Sequence, residues 1–219
     1  MSKLKVLELF AGTRSISRAF EKRGHETFSV EWNKDFENIT LYDDVNNLTK
    51  EKIIELCGGV PDVIWASPDC TTYSVAAISY HRSHNKETGN LDPITDYAKF
   101  CDKTNKYVVE LIKGLNPKYF FIENPRGGMR KMDFVKDLPR YTVTYCQYGE
   151  ERMKPTDIWT NHPNPKFKPP CKNGDSCHVS APRGSRTGTQ GIKGSVNRSR
   201  IPEELCDHIV LICEENNND

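Results

Sequence analysis

The sequence predicts an α/β fold, a doubly wound and mostly parallel sheet covered by helices on both faces. Three observations predict it. Short apolar runs at 5–10 (KVLELF), 61–67 (PDVIWAS) and 118–123 (KYFFIE) read as strands buried on both sides. Stretches with helical spacing lie between them. The runs also end on residues with chemical potential, and ligands of open α/β sheets gather at such strand ends.

Residues 5–10 form the first strand and 11–15 (AGTRS) a turn. Residues 16–23 read as a helix stopped by Gly24. Residues 26–32 (ETFSVEW) form the second strand, which ends on an acid. A further extended stretch leads to Asp43, Asp44 and Val45, after which Thr49 caps a helix that runs to Cys57 and stops at Gly58 and Gly59. Residues 61–67 are a buried strand, and 71 to about 93 are a polar loop. Residues 95–115 have helical spacing, ended by Asn116 and Pro117. Residues 118–123 are the next buried strand, with later strands at 140–148 and 157–160. From 161 to about 197 the chain is rich in Pro, Gly, Ser, Lys and Arg and has no strong periodicity, and 203–213 is helical again. The expected organisation is a catalytic core over 1–160, a small basic target-recognition insert over 161–197, and a C-terminal segment over 198–219 whose helix rejoins the core.

Composition narrows the function classes. A chain of 219 residues with 36% hydrophobic content fits one compact domain. With a formal net charge of +1 the molecule is not a basic polyelectrolyte, so any nucleic-acid contact must come from local Lys and Arg clusters. The sequence contains no apolar run of about 18 residues and no signal-peptide pattern. Its eight cysteines are scattered and read as reduced thiols. A cytoplasmic protein that does not enter a membrane is expected.

Three motifs carry chemistry. Phe10, Ala11 and Gly12 sit between a strand and a helix, where a glycine lets the backbone approach a ligand. Glu31 follows about 20 residues later at the end of the next strand, as suits a ribose diol. The full three-glycine dinucleotide fingerprint is missing, which favours another adenosine-containing cofactor. Asp44 belongs to the same crevice or is a solvated loop acid. Cys70, in the run Ser67-Pro68-Asp69-Cys70, leaves a buried strand before a long polar loop, which suits a nucleophile better than a packing thiol. Glu123, in Glu123-Asn124-Pro125, leaves an apolar strand and suits a proton donor.

In this order the motifs resemble the DNA cytosine-5 methyltransferases, in a short, stand-alone form. Phe10-Ala11-Gly12 is similar to their cofactor motif, Pro68-Asp69-Cys70 to Pro-Pro-Cys, and Glu123-Asn124-Pro125 to Glu-Asn-Val. Tyr148-Gly149 with Arg152 and Lys154 resembles Gln-x-Arg-x-Arg, and Ser199-Arg200-Ile201-Pro202 resembles Gly-Asn-x-Val-Pro. The departures are Arg14 for a second glycine, Asp69 for proline, Pro125 for a small apolar residue, Glu150 for glutamine and Lys154 for arginine. The resemblance implies a Rossmann-like, class I S-adenosylmethionine-dependent fold. It implies catalysis by Cys70, Glu123 and Arg152. It implies cofactor contacts from Phe10, Ala11, Gly12, Glu31, Trp32, Asp44, Val45, Pro68, Ser199 and Ile201. The substrate implied is double-stranded DNA with its target cytosine flipped out of the stack, bound by a monomer.

The loop over 71–93 carries His81, Arg82, His84 and Lys86 and is expected to close over the base or to stay an open surface loop. The basic run from Lys166 to Arg200 includes Lys168, Lys172, Arg183, Arg186, Lys193 and Arg198, and reads as phosphate-contacting or as a solvated insert. Within it Cys171, Cys177 and His178, with His162 upstream, are zinc-ligand types in a spacing outside the usual zinc patterns, so metal binding stays open. Three other functions compete: cytosine-5 methylation of RNA, methylation of an exocyclic amine, and non-catalytic DNA binding on a decayed methyltransferase fold. Glu123 and Asn124 have no role in amine methylation, and the intact Cys70 and Glu123 speak against decay.

Overall fold

The computed structural model describes residues 2–180 and 194–215. In chain order the elements are β1 (Lys5–Leu9), α1 (Ser15–Lys22), β2 (Glu26–Glu31), β3 (Leu41–Tyr42), α2 (Lys50–Cys57), β4 (Val63–Ala66), α3 (Ile78–His81), β5 (Arg82–His84), β6 (Leu91–Pro93), α4 (Asp96–Leu115), β7 (Tyr119–Pro125), β8 (Arg140–Thr144), β9 (Pro155–Thr160), α5 (Ser195–Ser199) and α6 (Glu203–Glu215).

Seven strands form one sheet in the order β3-β2-β1-β4-β7-β9-β8. The pairings from β3 to β7 are parallel, and β9 runs antiparallel to both β7 and β8. Side chains alternate across the sheet, as strand geometry requires. Leu7, Leu9, Ile64, Ala66, Phe120 and Ile122 face a core completed by α2 and α4. Val6, Val63, Trp65, Tyr119 and Phe121 face a second core completed by α1 and α6. This is the expected doubly wound sheet, with one reversed strand.

Local signals set the helix ends as read. The Thr49 hydroxyl accepts from the Lys52 amide at 3.2 Å, and the Thr95 hydroxyl from the Ala98 amide at 3.2 Å. Gly58 ends α2 with φ 59°, in the left-handed region. The strand read over 140–148 stops at Thr144, and residues Tyr145–Tyr148 form a single 3-10 turn that closes on Gly149 at φ 88°.

The loop over 71–93 departs from expectation. It holds the 3-10 turn Thr71–Tyr73, α3, and a hairpin of β5 and β6. Arg82 is its anchor and not a free cation, because its side chain is fully buried. Its guanidinium donates to the Thr72 carbonyl at 2.9 Å, to the Thr72 hydroxyl at 2.9 Å, and to both Asp102 oxygens at 3.0 and 2.7 Å. It lies 4.2 Å from the centroid of the Tyr73 ring. Asp102 also accepts from the Tyr73 hydroxyl at 2.6 Å. His81 pairs with the Thr95 hydroxyl at 2.9 Å. Arg82 therefore fastens the loop to α4 and is not a free cation of an open surface loop.

Candidate active site

A crevice of about 310 Å³ opens at the carboxyl ends of β1 and β2. Phe10, Glu31, Trp32, Asp44 and Val45 line it, together with Asp69, Tyr97 and Phe100 from the far side. Five residues read from sequence thus share one cavity. The turn that builds its floor is conformationally costly: Phe10 and Arg14 both have φ 57°, where a β-carbon is crowded, and Gly12 has φ 46°. Glu31, 6% exposed, holds this turn in place. Its carboxylate accepts from the Gly12 amide at 3.0 Å and from the Asn33 amide at 2.9 Å. Trp32, 70% exposed, presents an aromatic ring at the rim. A planar aromatic bed beside a carboxylate, in a cavity of this size, fits an adenosine-containing ligand.

The other expected cofactor residues sit elsewhere. Ala11 is buried in the turn, and its amide donates to the Val30 carbonyl at 3.1 Å. Pro68 accepts at its carbonyl from Asn124. Ser199 is exposed, and its hydroxyl donates to the Val196 carbonyl at 2.9 Å. Ile201 is buried in the core shared by α1 and α6.

Cys70 and Glu123, the two groups expected to react, leave neighbouring strands. Ala66 of β4 is in register with Ile122 of β7, so Cys70 and Glu123 emerge at adjacent strand ends. The Asn124 side-chain amide donates to the Pro68 carbonyl at 2.9 Å and ties the two strand ends together. Asp69, where the family has proline, accepts from the Thr71 amide at 2.7 Å and from the Tyr97 hydroxyl at 2.7 Å. It pins the Cys70 turn to α4 and at the same time lines the crevice. Gly127 has a structural reason to be glycine, since a β-carbon there would collide with the Tyr73 carbonyl.

Burial pushes the Cys70 thiol up to about 11, with Glu123 and Asp69 adding to the rise and Lys154 opposing it. Glu123 is 6% exposed and accepts from the Tyr145 hydroxyl at 3.1 Å. Burial, with Glu123 beside it, keeps that hydroxyl protonated by raising its pKa well above the usual tyrosine range. Lys154 is buried with its ammonium 4.6 Å from the centroid of the Tyr145 ring. Lys154 and Tyr145 thus stand beside Glu123 and Cys70; the sequence placed Lys154 only in the Gln-x-Arg-x-Arg resemblance and did not single out Tyr145. Arg152 points the other way, its guanidinium donating to the Val179 carbonyl at 2.9 Å.

Arg183, Arg186 and Lys193 lie outside the described residues, as does the side chain of Arg198 on α5. Two cations from the basic run are engaged with the core: Lys166 pairs with Glu215 at 2.6 Å, and Lys168 with Glu204 at 3.2 Å. His162 does not join the cysteines. It is buried against Tyr119 at a ring separation of 4.6 Å and contacts the Ile212 carbonyl at 3.0 Å through Nε2. The cluster is completed instead by Cys146.

No described helix is long and apolar enough to cross a membrane. A curated protein of Frog virus 3 (isolate Goorha), named "Probable DNA (cytosine-5)-methyltransferase", is 27% identical over 96% of this chain and 100% of its own length. Among solved structures, the Entamoeba histolytica methyltransferase EhMeth superposes with a TM-score of 0.53 at 13% identity. That match covers 73% of this chain and 53% of EhMeth, so this chain spans about half the length of that structure and shares its fold. The model of the C-5 cytosine-specific DNA methylases matches residues 4–140, more than half of the sequence. The chain belongs to the C-5 cytosine-specific DNA methylase family.

Proposed function

We propose that this chain transfers a methyl group from S-adenosylmethionine to carbon 5 of a flipped cytosine in duplex DNA. The observation that supports this most directly is the position of Asp69. It lines the cofactor-sized crevice, and the next residue is the thiol that emerges beside Glu123.

The Cys70 thiolate adds to C6 of the ring and makes C5 nucleophilic. Glu123, held by Tyr145, delivers a proton to N3 and neutralises the charge that enters the ring. Lys154 favours the thiolate electrostatically. Bound S-adenosylmethionine supplies the electrophilic methyl group that the activated C5 accepts. Loss of the C5 proton, expulsion of the thiolate and return of the N3 proton to Glu123 restore the aromatic ring. The target base must leave the stack to reach Cys70, and the basic run carrying Arg183, Arg186, Lys193 and Arg198 is the candidate phosphate-contacting surface.

The test is methyl transfer from labelled S-adenosylmethionine to duplex DNA and, separately, to tRNA, with bisulfite sequencing of the DNA product. Label in DNA cytosine at C5 is the expected outcome. Label confined to tRNA, or to exocyclic nitrogen, overturns the reading.

The crevice has its own prediction. Glu31→Ala removes the carboxylate assigned to the ribose and loosens the Gly12 turn, and is expected to weaken S-adenosylmethionine binding by about 1.5–3 kcal/mol. Isothermal calorimetry measures it, and unchanged affinity rejects the assignment of Glu31.

A further inference from the structure

Four soft-ligand side chains converge where β8 leaves the sheet, away from the groups used above. Cys146 lies in the 3-10 turn after β8, and Cys171, Cys177 and His178 come from the irregular segment after β9. Their sulfur and imidazole atoms all lie within 4.8 Å of one another. The Cys146 and Cys177 sulfurs are 3.7 Å apart, and His178 Nδ1 lies 3.4 Å from Cys177 and 3.8 Å from Cys171. Ligands of a tetrahedral zinc ion, with Zn–S of about 2.3 Å and Zn–N of about 2.0–2.1 Å, stand roughly 3.5–3.8 Å apart. The 3.7 and 3.8 Å separations fall in this range and the 3.4 Å one lies just below it. The Cys146–Cys171 pair at 2.8 Å is closer than this and longer than a disulfide of about 2.05 Å.

The surrounding chain is built to hold the cluster. A turn in which the Lys172 amide donates to the Asp175 carboxylate at 2.7 Å, and the Asp175 amide to the Lys172 carbonyl at 3.1 Å, brings Cys177 back toward Cys171. The Cys171 amide donates to the Thr144 hydroxyl at 3.0 Å, and the Val179 amide to the Glu151 carbonyl at 2.8 Å. His178 Nε2 is buried without a hydrogen-bond partner, so the ring is oriented through its Nδ1 side. Residues 161–180 have no helix or strand, and only His162 and Pro165 among them are buried. A segment with so little apolar burial needs another source of order.

We propose that Cys146, Cys171, Cys177 and His178 bind one structural Zn²⁺ that fastens the irregular segment to the catalytic core. Three thiols release their protons to solvent on binding, and neutral His178 ligates through Nδ1. Four protein ligands leave no open position, so the ion has no part in methyl transfer. The metal sets where the basic run leaves the core, since that run continues directly from His178.

Full-length protein, purified without a metal-binding tag from zinc-supplemented cells, is analysed by inductively coupled plasma mass spectrometry and intact mass. One zinc per chain is expected, and Co²⁺ exchanged into the site should give thiolate charge-transfer bands and the visible bands of tetrahedral cobalt. Cys177→Ser and His178→Asn, at an exposed and a half-buried position, should each lose stoichiometric metal while circular dichroism keeps the core signal. Metal-free protein with a Cys146–Cys171 disulfide, seen as a loss of two hydrogens on that peptide pair, overturns the proposal. So does full zinc retention in both variants.

Discussion

Cys70→Ala should eliminate methylation, a fall of about 10³-fold or more, and with it the covalent capture of DNA containing 5-fluorocytosine. Fluorine at C5 permits thiolate addition and methyl transfer, but leaves no proton to remove, so the thiolate cannot be expelled. Wild-type enzyme should stay attached to that DNA on a denaturing gel only when S-adenosylmethionine is present. Because the resting thiol sits up to about 11, its thiolate population grows with pH through the neutral range, and adduct formation should accelerate as pH rises. Glu123→Gln should slow the adduct, since N3 loses its proton donor. It should also shift the pH profile downward, because removing the carboxylate removes a charge that raises the thiol pKa. Methylation by Cys70→Ala, or an adduct mapped by peptide mass to Cys101 or Cys146, would sink the mechanism.

The second large effect is on stability. Arg82→Ala leaves Asp102 and the Thr72 carbonyl without their guanidinium, and breaking a buried ion pair from one side costs about 3–5 kcal/mol. The Asp102 side chain keeps 23% exposure, so about 3 kcal/mol is expected, read as a lower urea midpoint. Arg82→Met combined with Asp102→Leu should recover part of the loss, because no unpaired charge remains. An unchanged midpoint together with weakened DNA binding would mean that Arg82 serves DNA and not the loop.

The sheet was legible because its strands carry continuous apolar runs and its helices carry end signals, Thr49 and Thr95 before them and Gly58 after. Strand direction leaves no such mark, so reversed β9 could not be read. The hairpin of β5 and β6 was hidden because its strands have three residues each and no alternation to detect. In the site, Cys70, Glu123 and the crevice residues were legible because motifs sit at strand ends. The environment of the thiol was not. Arg152 and Lys154 are two residues apart, yet Lys154 is buried beside Tyr145 while Arg152 donates to the Val179 carbonyl, a difference their spacing does not foretell. Cys146 was missed for a similar reason: its approach to Cys171 is tertiary, whereas His162, nearer in sequence, is held by the Tyr119 ring and the Ile212 carbonyl.

Helix α6 closes the face of the sheet that α1 opens. Arg23 reaches Glu214 at 2.6 Å across 191 positions of sequence, and His25 meets the same carboxylate at 3.0 Å. A ribosome adding about 5–20 residues per second separates the emergence of these two ends by roughly 10–40 s. From the time each is made, Trp65 and Phe121, both fully buried in the finished protein, lack the helix that covers them until α6 follows. Contacts of such long range slow the search for the native state. The nascent chain therefore spends its synthesis with an adhesive apolar face, and its yield in a host should respond to chaperone supply and growth temperature more than to any change at the active site.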